Sequence, residues 1–223
     1  MCTIYGSTVI RPKKNTFLKY QLIILFSFFT CITKAQTAVD LGLSVRWADC
    51  NLGAEKPEDY GGLYGWADPT GKCTDANVYD DDWNWLSDSL YGGYRNIKGI
   101  CGTSLDIVRM KCGKPWRLPT HEEMNELITK CKKEKIQING VWGLRLTGPS
   151  GKTIFLPAGG RREAVDILHQ GKTGNYWTGS VGKRYKAHKD FRAWYLFFNA
   201  SGYIECSDYG LRYFGYSIRP VRK

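Results

Sequence analysis

The sequence predicts an α+β domain, and three observations carry that prediction. A strong helix signal occupies residues 120–131, in the first half of the globular part. Strand and turn signals dominate from 136 to the end. The composition, with 25 Gly, 14 Tyr, 9 Phe and 8 Trp in 223 residues, suits short strands and many turns better than a helical bundle. At 43% hydrophobic residues the chain has enough apolar surface for one domain of ordinary size.

The first 35 residues stand apart from that domain. Arg11, Lys13, Lys14 and Lys19 precede an apolar run, Leu22 to Ile32 (LIILFSFFTCI), and Thr33-Lys34-Ala35 supplies small residues three back and one back from Gln36. This is the pattern of a secretory signal peptide cleaved near Ala35. It leaves 36–223 as a single domain, secreted or held at the cell surface or in the periplasm. The apolar run falls short of the roughly 20 residues a membrane-spanning helix needs, and no other run approaches that length. No transmembrane segment is therefore expected in the mature chain. An N-terminal membrane anchor is one alternative. Lipid attachment at Cys31 is another, against which the bulky Phe28-Phe29-Thr30 counts.

Along the mature chain, residues 38–54 (AVDLGLSVRWADCNLGA) open with alternating apolar positions and predict a first strand followed by a turn. Residues 55–100 are rich in turn formers, such as Gly61-Gly62, Asp68-Pro69 and Gly92-Gly93, and predict irregular structure held by Trp66, Trp83 and Trp85. Asp80-Asp81-Asp82 lies there. Three adjacent acids lack the alternate-position ligands and the glycine of an EF-hand loop, so a solvated turn is the expectation and calcium binding stays open. Over 103–110 (TSLDIVRM), Leu105, Val108 and Met110 fall on one side, which predicts a short helix. Arg117-Leu118-Pro119 is an extended entry, because the residue before proline avoids helical geometry. Thr120 and Glu123 then form the S/T-x-x-E capping box of a second helix. Glu122 and Glu123 suit its positive end, and Lys130, Lys132 and Lys133 suit the other. Met124, Leu127, Ile128 and Cys131 recur at three and four, one buried face. Strands follow at 136–147 with a tight turn at Asn139-Gly140, then at 153–157, 176–178, 192–199, 203–206 and 216–221. Residues 181–191 (VGKRYKAHKDF) form a basic, polar loop between two of them.

Charge is unevenly spread. Without residues 1–35, which hold five basic and no acidic residues, the chain keeps 27 basic against 21 acidic. Residues 36–150 are nearly balanced, whereas 151–223 carry 13 basic and 5 acidic residues. In an exported protein that excess points to acidic glycans or anionic surfaces rather than nucleic acid; the alternative is that it serves solubility alone. Six cysteines remain after cleavage: Cys50, Cys73, Cys101, Cys112, Cys131 and Cys206. An even number in an exported chain predicts disulfides, with 15 pairings open. No C-x-x-C and no neighbouring histidine suggest structural zinc.

The order WRLPT-x-E-E, IFLPAGG, YWTGS, AWYLFFN and YFGYSIRPV resembles the Fibrobacter succinogenes major paralogous domain and the related domain of unknown function 1566, common in exported proteins of Bacteroidetes. The front end, DLGLSVRWADCNLGAEKPEDYGGLYGWAD, is similar to the Bacteroidetes form of that domain, so the resemblance covers nearly all of 38–222. It implies the C-type lectin-like fold group: short helices early, a twisted, mostly antiparallel sheet, termini close together, and long late loops as the ligand surface. The RLPT-x-E-E stretch also occurs in formylglycine-generating enzymes of the same fold group, which raises an oxidase as an alternative. Their chemistry uses a closely spaced, copper-binding cysteine pair near the C-terminus, and here Cys206 is the only cysteine after 131.

Other catalytic patterns are missing too. Of the three histidines, His121 opens HEEMNE rather than H-E-x-x-H and is expected to be exposed, and His169 and His188 have no partner motif. No G-x-S-x-G or phosphate-loop pattern occurs, and nothing marks a glycosidase carboxylate pair. The expectation is a non-catalytic module without cofactor or metal, binding an acidic or host glycan or a cell-surface protein. Its expected ligand residues are Tyr185, Lys186, His188, Arg192, Tyr209, Arg212 and Tyr213, with aromatic faces for sugar rings and cations for sulfate or carboxylate. Trp177, Trp194 and Phe198 are read as core. The E-P-N and Q-P-D motifs of calcium-dependent lectins are absent. The second expectation is a structural or adhesin component with a protein partner and diversified late loops, because the run before SIRPV resembles the region that retroelements vary in some lectin-like proteins.

Overall fold

The structure, a computed structural model, describes residues 36–68, 71, 99–182 and 192–223. All belong to one compact unit spanning Thr33–Lys223. The readings of 1–35, of Trp83 and Trp85, of Asp80-Asp81-Asp82 and of most of the basic loop fall outside the described residues. Among the described residues, no helix is long and apolar enough to cross a membrane.

Among the described residues, two short helices and eleven strands follow one another. They are β1 (Ala38–Val39), β2 (Arg46–Ala48), α1 (Ile107–Cys112), α2 (His121–Lys130), β3 (Lys132–Ile138), β4 (Val141–Thr147), β5 (Thr153–Pro157), β6 (Arg161–Glu163), β7 (Asp166–Leu168), β8 (Thr173–Val181), β9 (Arg192–Asn199), β10 (Ile204–Leu211) and β11 (Val221–Arg222). The expected α+β composition holds, with helices early and strands late. In place of one late sheet there are three three-stranded sheets, β1-β2-β11, β10-β9-β8 and β3-β4-β5, and the hairpin β6-β7. Every strand pair in them is antiparallel. Because β11 lies beside β2, the C-terminal end of the domain meets its beginning.

Alternation along β8 organises the interior. Tyr176 and Trp177 are adjacent, both fully buried, and point to opposite faces of their sheet. Tyr176 joins Trp47, Met124, Leu127, Leu144, Leu146, Leu196 and Phe198 in one apolar cluster. Trp177 joins Trp66, Ile107, Val108, Trp116, Leu118 and Tyr216 in a second. Met124 and Leu127 come from the α2 face that the sequence predicts, and α2 packs against the β8–β9–β10 sheet.

The capping box forms as expected. Thr120 Oγ1 accepts from Glu123 N at 3.3 Å, and Glu123 Oε2 accepts from Thr120 N at 2.9 Å. Arg117 then grips the same carboxylate with both guanidinium arms, at 2.7 and 2.6 Å. Lys132 and Lys133, expected at the helix end, instead begin β3, because Cys131 turns extended as the C-cap.

Four other expectations are corrected. The first strand expected at the start of 38–54 is split into β1 and β2 by a bend, where Gly42 adopts φ 76° and its N–H is taken by Asp40 Oδ1. The helix expected over 103–110 begins only at Ile107, since buried Asp106 is its N-cap and accepts from Val108 N and Arg109 N. Met110 consequently lies 58% exposed rather than on the buried side. At 216–221, single bridges at Tyr216 and Ser217 replace a strand, and regular pairing waits until after Pro220, which has no N–H to donate.

Candidate functional site

The β9–β10 register builds the most chemically equipped surface of the described chain. Residues opposite one another in an antiparallel pair share a face. Leu196 and Phe198 face the first core cluster. Tyr195 and Phe197 point the other way, opposite Ser207 and Glu205 of β10. On the β8 side this second face is closed over, because residues 215–217 pair in parallel along the outer edge of β8 and lay the Tyr216 ring on Trp177. Trp177 N donates to Ser217 O at 3.0 Å, Ser217 N to Asn175 O at 3.0 Å, and Tyr216 stacks on Trp177 at 4.1 Å. Over β9 and β10 the same face stays accessible. Tyr195 and Phe197 are half-buried there, and Tyr203 is 52% exposed.

The result is an aromatic shelf with a polar rim. Phe197 lies 6.1 Å from the Tyr203 ring, and the Tyr203 hydroxyl donates to Glu205. Tyr195 meets Tyr216 at 5.0 Å, Tyr216 meets Phe214 at 6.0 Å, and Tyr213 stands edge-on to Phe214 at 4.5 Å. Arg161 of the β6–β7 hairpin covers Phe214 at 5.2 Å and pairs with Glu163 at 2.5 Å, both about one-third exposed. The phenols report these neighbours. Burial pushes Tyr195 above its ordinary value, with Ser207 pulling it back and Glu205 adding to the rise. Tyr203 is also raised, first by its hydrogen bond to Glu205.

The residues expected from sequence divide differently. Tyr185, Lys186 and His188 lie outside the described residues. Arg192 and Tyr209 come together, guanidinium over ring at 4.8 Å, at the end of β9 and β10 where the basic loop departs. Arg212 is turned inward: it is 5% exposed, lies over Trp66 at 4.3 Å, and its Nε donates to Arg192 O at 3.1 Å. Of the expected residues that are described, Tyr213 joins the shelf rim. Of the expected core residues, Trp177 and Phe198 are buried, whereas Trp194 is half-buried and stacked on His121 at 4.5 Å, which also half-buries His121. Sequence reasoning missed Arg161, Glu163, Tyr195, Phe197, Tyr203 and Glu205. The alternation of aromatics in AWYLFFN is the signal that could have found two of them.

The recognisable motifs face inward. Fully buried Arg219 donates to Asn51 Oδ1 at 3.0 Å, Ala48 O at 3.1 Å and Phe155 O at 2.6 Å, tying β2, the following turn and β5 together. Burial lowers its pKa from the usual guanidinium range. Asp106 accepts four backbone N–H groups, including Gly102 N at 2.7 Å and Leu118 N at 2.8 Å. A shallow depression beside α2, lined by Ser44, Glu122, Glu123, Asn125, Glu126 and Lys130, is likewise committed internally. Glu126 there accepts from Ser44 N, Ser44 Oγ and Lys130 Nζ.

Among the described residues, no three His, Cys, Asp or Glu side chains converge as metal ligands. Of the cysteines expected to pair, Cys101, Cys112, Cys131 and Cys206 form no disulfide among the described residues, and Cys73 lies outside the described residues. They are dispersed: Cys131 and Cys206 pack on one core cluster, Cys101 and Cys112 on the other. Burial pushes the thiols of Cys101 and Cys206 up to about 12 and that of Cys112 to about 11, which keeps them protonated at neutral pH.

No known protein family, curated protein or solved structure matches the chain.

Proposed function

We propose an exported, non-catalytic module of C-type lectin-like type that binds a glycan or another surface ligand through its C-terminal third. The observation that carries this reading is the shelf: aromatic rings left accessible on one sheet face, bordered by Arg161, Glu163 and Glu205. Rings supply area at low entropic cost, and the rim supplies charge-assisted hydrogen bonds. The export pattern before Gln36 and the family resemblance of 38–222 support the same reading, with the protein acting outside the cytoplasm. Cys206 is the only cysteine after 131 in the sequence, so the closely spaced C-terminal pair that copper-dependent oxidation uses is missing, which weighs against the oxidase alternative.

Probing the purified protein against an array holding both neutral and acidic glycans tests this proposal. The expected result is selective, saturable binding. If neutralising Lys183, Arg184 and Lys186 leaves that binding unchanged, the basic-loop argument fails while the module stands. Absence of binding to any glycan sinks the glycan reading.

A second reading, an adhesin component with a protein partner, draws on Val165 and Ile167, which are 73% and 55% exposed at the β6–β7 hairpin. Comparison of sibling sequences from one strain separates the two. Substitutions confined to about 175–215 favour the adhesin, because diversification concentrates where partners vary.

A further inference from the structure

We infer that the shelf takes an uncharged saccharide. Its rings lie against Tyr203, Phe197 and Tyr195, and its hydroxyls donate to Glu205. This rests on the binding-module reading and narrows it.

Charge decides the class. The 13 basic residues of 151–223 suggest an anionic ligand, but the fold withdraws three of them from the surface. Arg162 is 8% exposed, Arg212 5% and Arg219 0%. Each is spent on the chain itself, over Trp66 in one case and on backbone oxygens in all three. Among the described residues the charged groups around the shelf are Arg161, Glu163, Glu205 and Lys135, whose Nζ donates to Ala200 O at 3.0 Å beside the β9–β10 turn. Arg161 is already paired with Glu163 at 2.5 Å and lies over Phe214, so its cation is compensated. Among the described residues that leaves the Glu205 carboxylate on the shelf and the Lys135 ammonium at its turn, opposite charges that offer no net cation to sulfate or carboxylate on a ligand.

Polarity then separates a sugar from an apolar partner. Covering Glu205 with an apolar side chain would strip a carboxylate of water with only Tyr203 to replace it, which is costly. A sugar removes that conflict. Its hydroxyls donate to the carboxylate, which accepts at two oxygens, while its C–H faces lie on the rings. Tyr203 connects both functions, because its ring is 52% exposed and its hydroxyl is held by Glu205.

Calorimetric titration of the purified full-length protein with neutral cello-, xylo- and manno-oligosaccharides, and separately with oligogalacturonate and heparin oligosaccharides, tests the inference. A neutral oligosaccharide is expected to bind with little dependence on salt, since no ion pair forms. Tyr203→Ala is expected to weaken it about tenfold, Tyr203→Phe less, and Glu205→Gln by a few-fold. Tyr203 is exposed, so these variants fold, and thermal melts verify that. Binding confined to the acidic panel overturns the inference but leaves the module standing. So does neutral binding indifferent to Tyr203→Ala and Glu205→Gln. No binding to either panel overturns both.

Discussion

Two polar regions of this molecule use the same groups to opposite ends. Around Arg219 and the Arg117–Glu123 corner, charges are buried or half-buried and answered by the chain: three oxygens for Arg219, a bidentate carboxylate for Arg117, and a backbone N–H as well for Glu123. On the shelf, Arg161, Glu163, Glu205 and Tyr203 keep part of their surface in water. The inward groups lie in RLPT-x-E-E and SIRPV, where they serve the fold, and the accessible groups lie in the runs between.

The largest expected effect follows from removing the inward hub. Arg219→Ala leaves Asn51 Oδ1, Ala48 O and Phe155 O without their donor and opens a cavity, at a cost of about 3–5 kcal/mol. Differential scanning calorimetry should show the melting temperature fall by roughly 10 °C or more. Arg219→Lys reaches fewer of the three oxygens and should recover only part of the loss. A melting temperature within a degree of the parent would erase the distinction between the two regions.

Next in size is an alkaline effect from the same interior. Tyr176 is pushed up to about 12, first by burial, with Arg219 and Asn51 pulling the other way. A phenol whose folded value exceeds its unfolded one favours the fold while both states are protonated. Its share of stability is therefore complete below about pH 10 and lost as pH rises through 12, about 2–3 kcal/mol for a shift of this size. Chemical denaturation at stepped pH should show that decline, and Tyr176→Phe should flatten it.

A smaller change is expected at the helix corner. Glu123→Ala removes the Arg117 pair and half the capping box together, worth about 1–2 kcal/mol. Glu122→Ala, whose side chain is 70% exposed, should cost under about 0.5 kcal/mol. Equal losses from the two would show that the capping geometry adds nothing.

What the sequence made legible was local. Thr120 and Glu123 are three residues apart, Asn139-Gly140 supplies its own positive φ values of 49° and 80°, and the RAWYLFFN run matches β9 residue for residue. The β6–β7 hairpin gave no such sign, because Ala164 takes its turn with φ 51° in place of a glycine or asparagine. Arg212 was assigned to the surface on the usual behaviour of arginine, and only the fold brings Trp66 over it. The shelf is a product of two pairings: the hairpin register of β9 on β10, and the parallel pairing of 215–217 along the outer edge of β8. Neither leaves a spacing in the chain, so Tyr203 and Glu205 could not be selected in advance.

The smallest perturbation separates the two regions most cleanly. Tyr176 and Tyr203 are both raised phenols, one by burial and the other first by the carboxylate that accepts its proton. The neutral phenol donates to Glu205, whereas the phenolate would face a like charge, so the protonated form is favoured. Glu205→Gln keeps an acceptor but removes the charge. Tyr203 should then titrate nearer its ordinary value while Tyr176 stays high. Absorbance at alkaline pH, with Tyr203→Phe as the reference for assignment, should show Tyr203 moving most, Tyr195 moving less in the same direction, and Tyr176 unmoved. Stability should change by less than about 0.5 kcal/mol, because both side chains lie at the surface. If Tyr203 fails to move, Glu205 is not the group that holds it, and the carboxylate is not poised to accept from a ligand either.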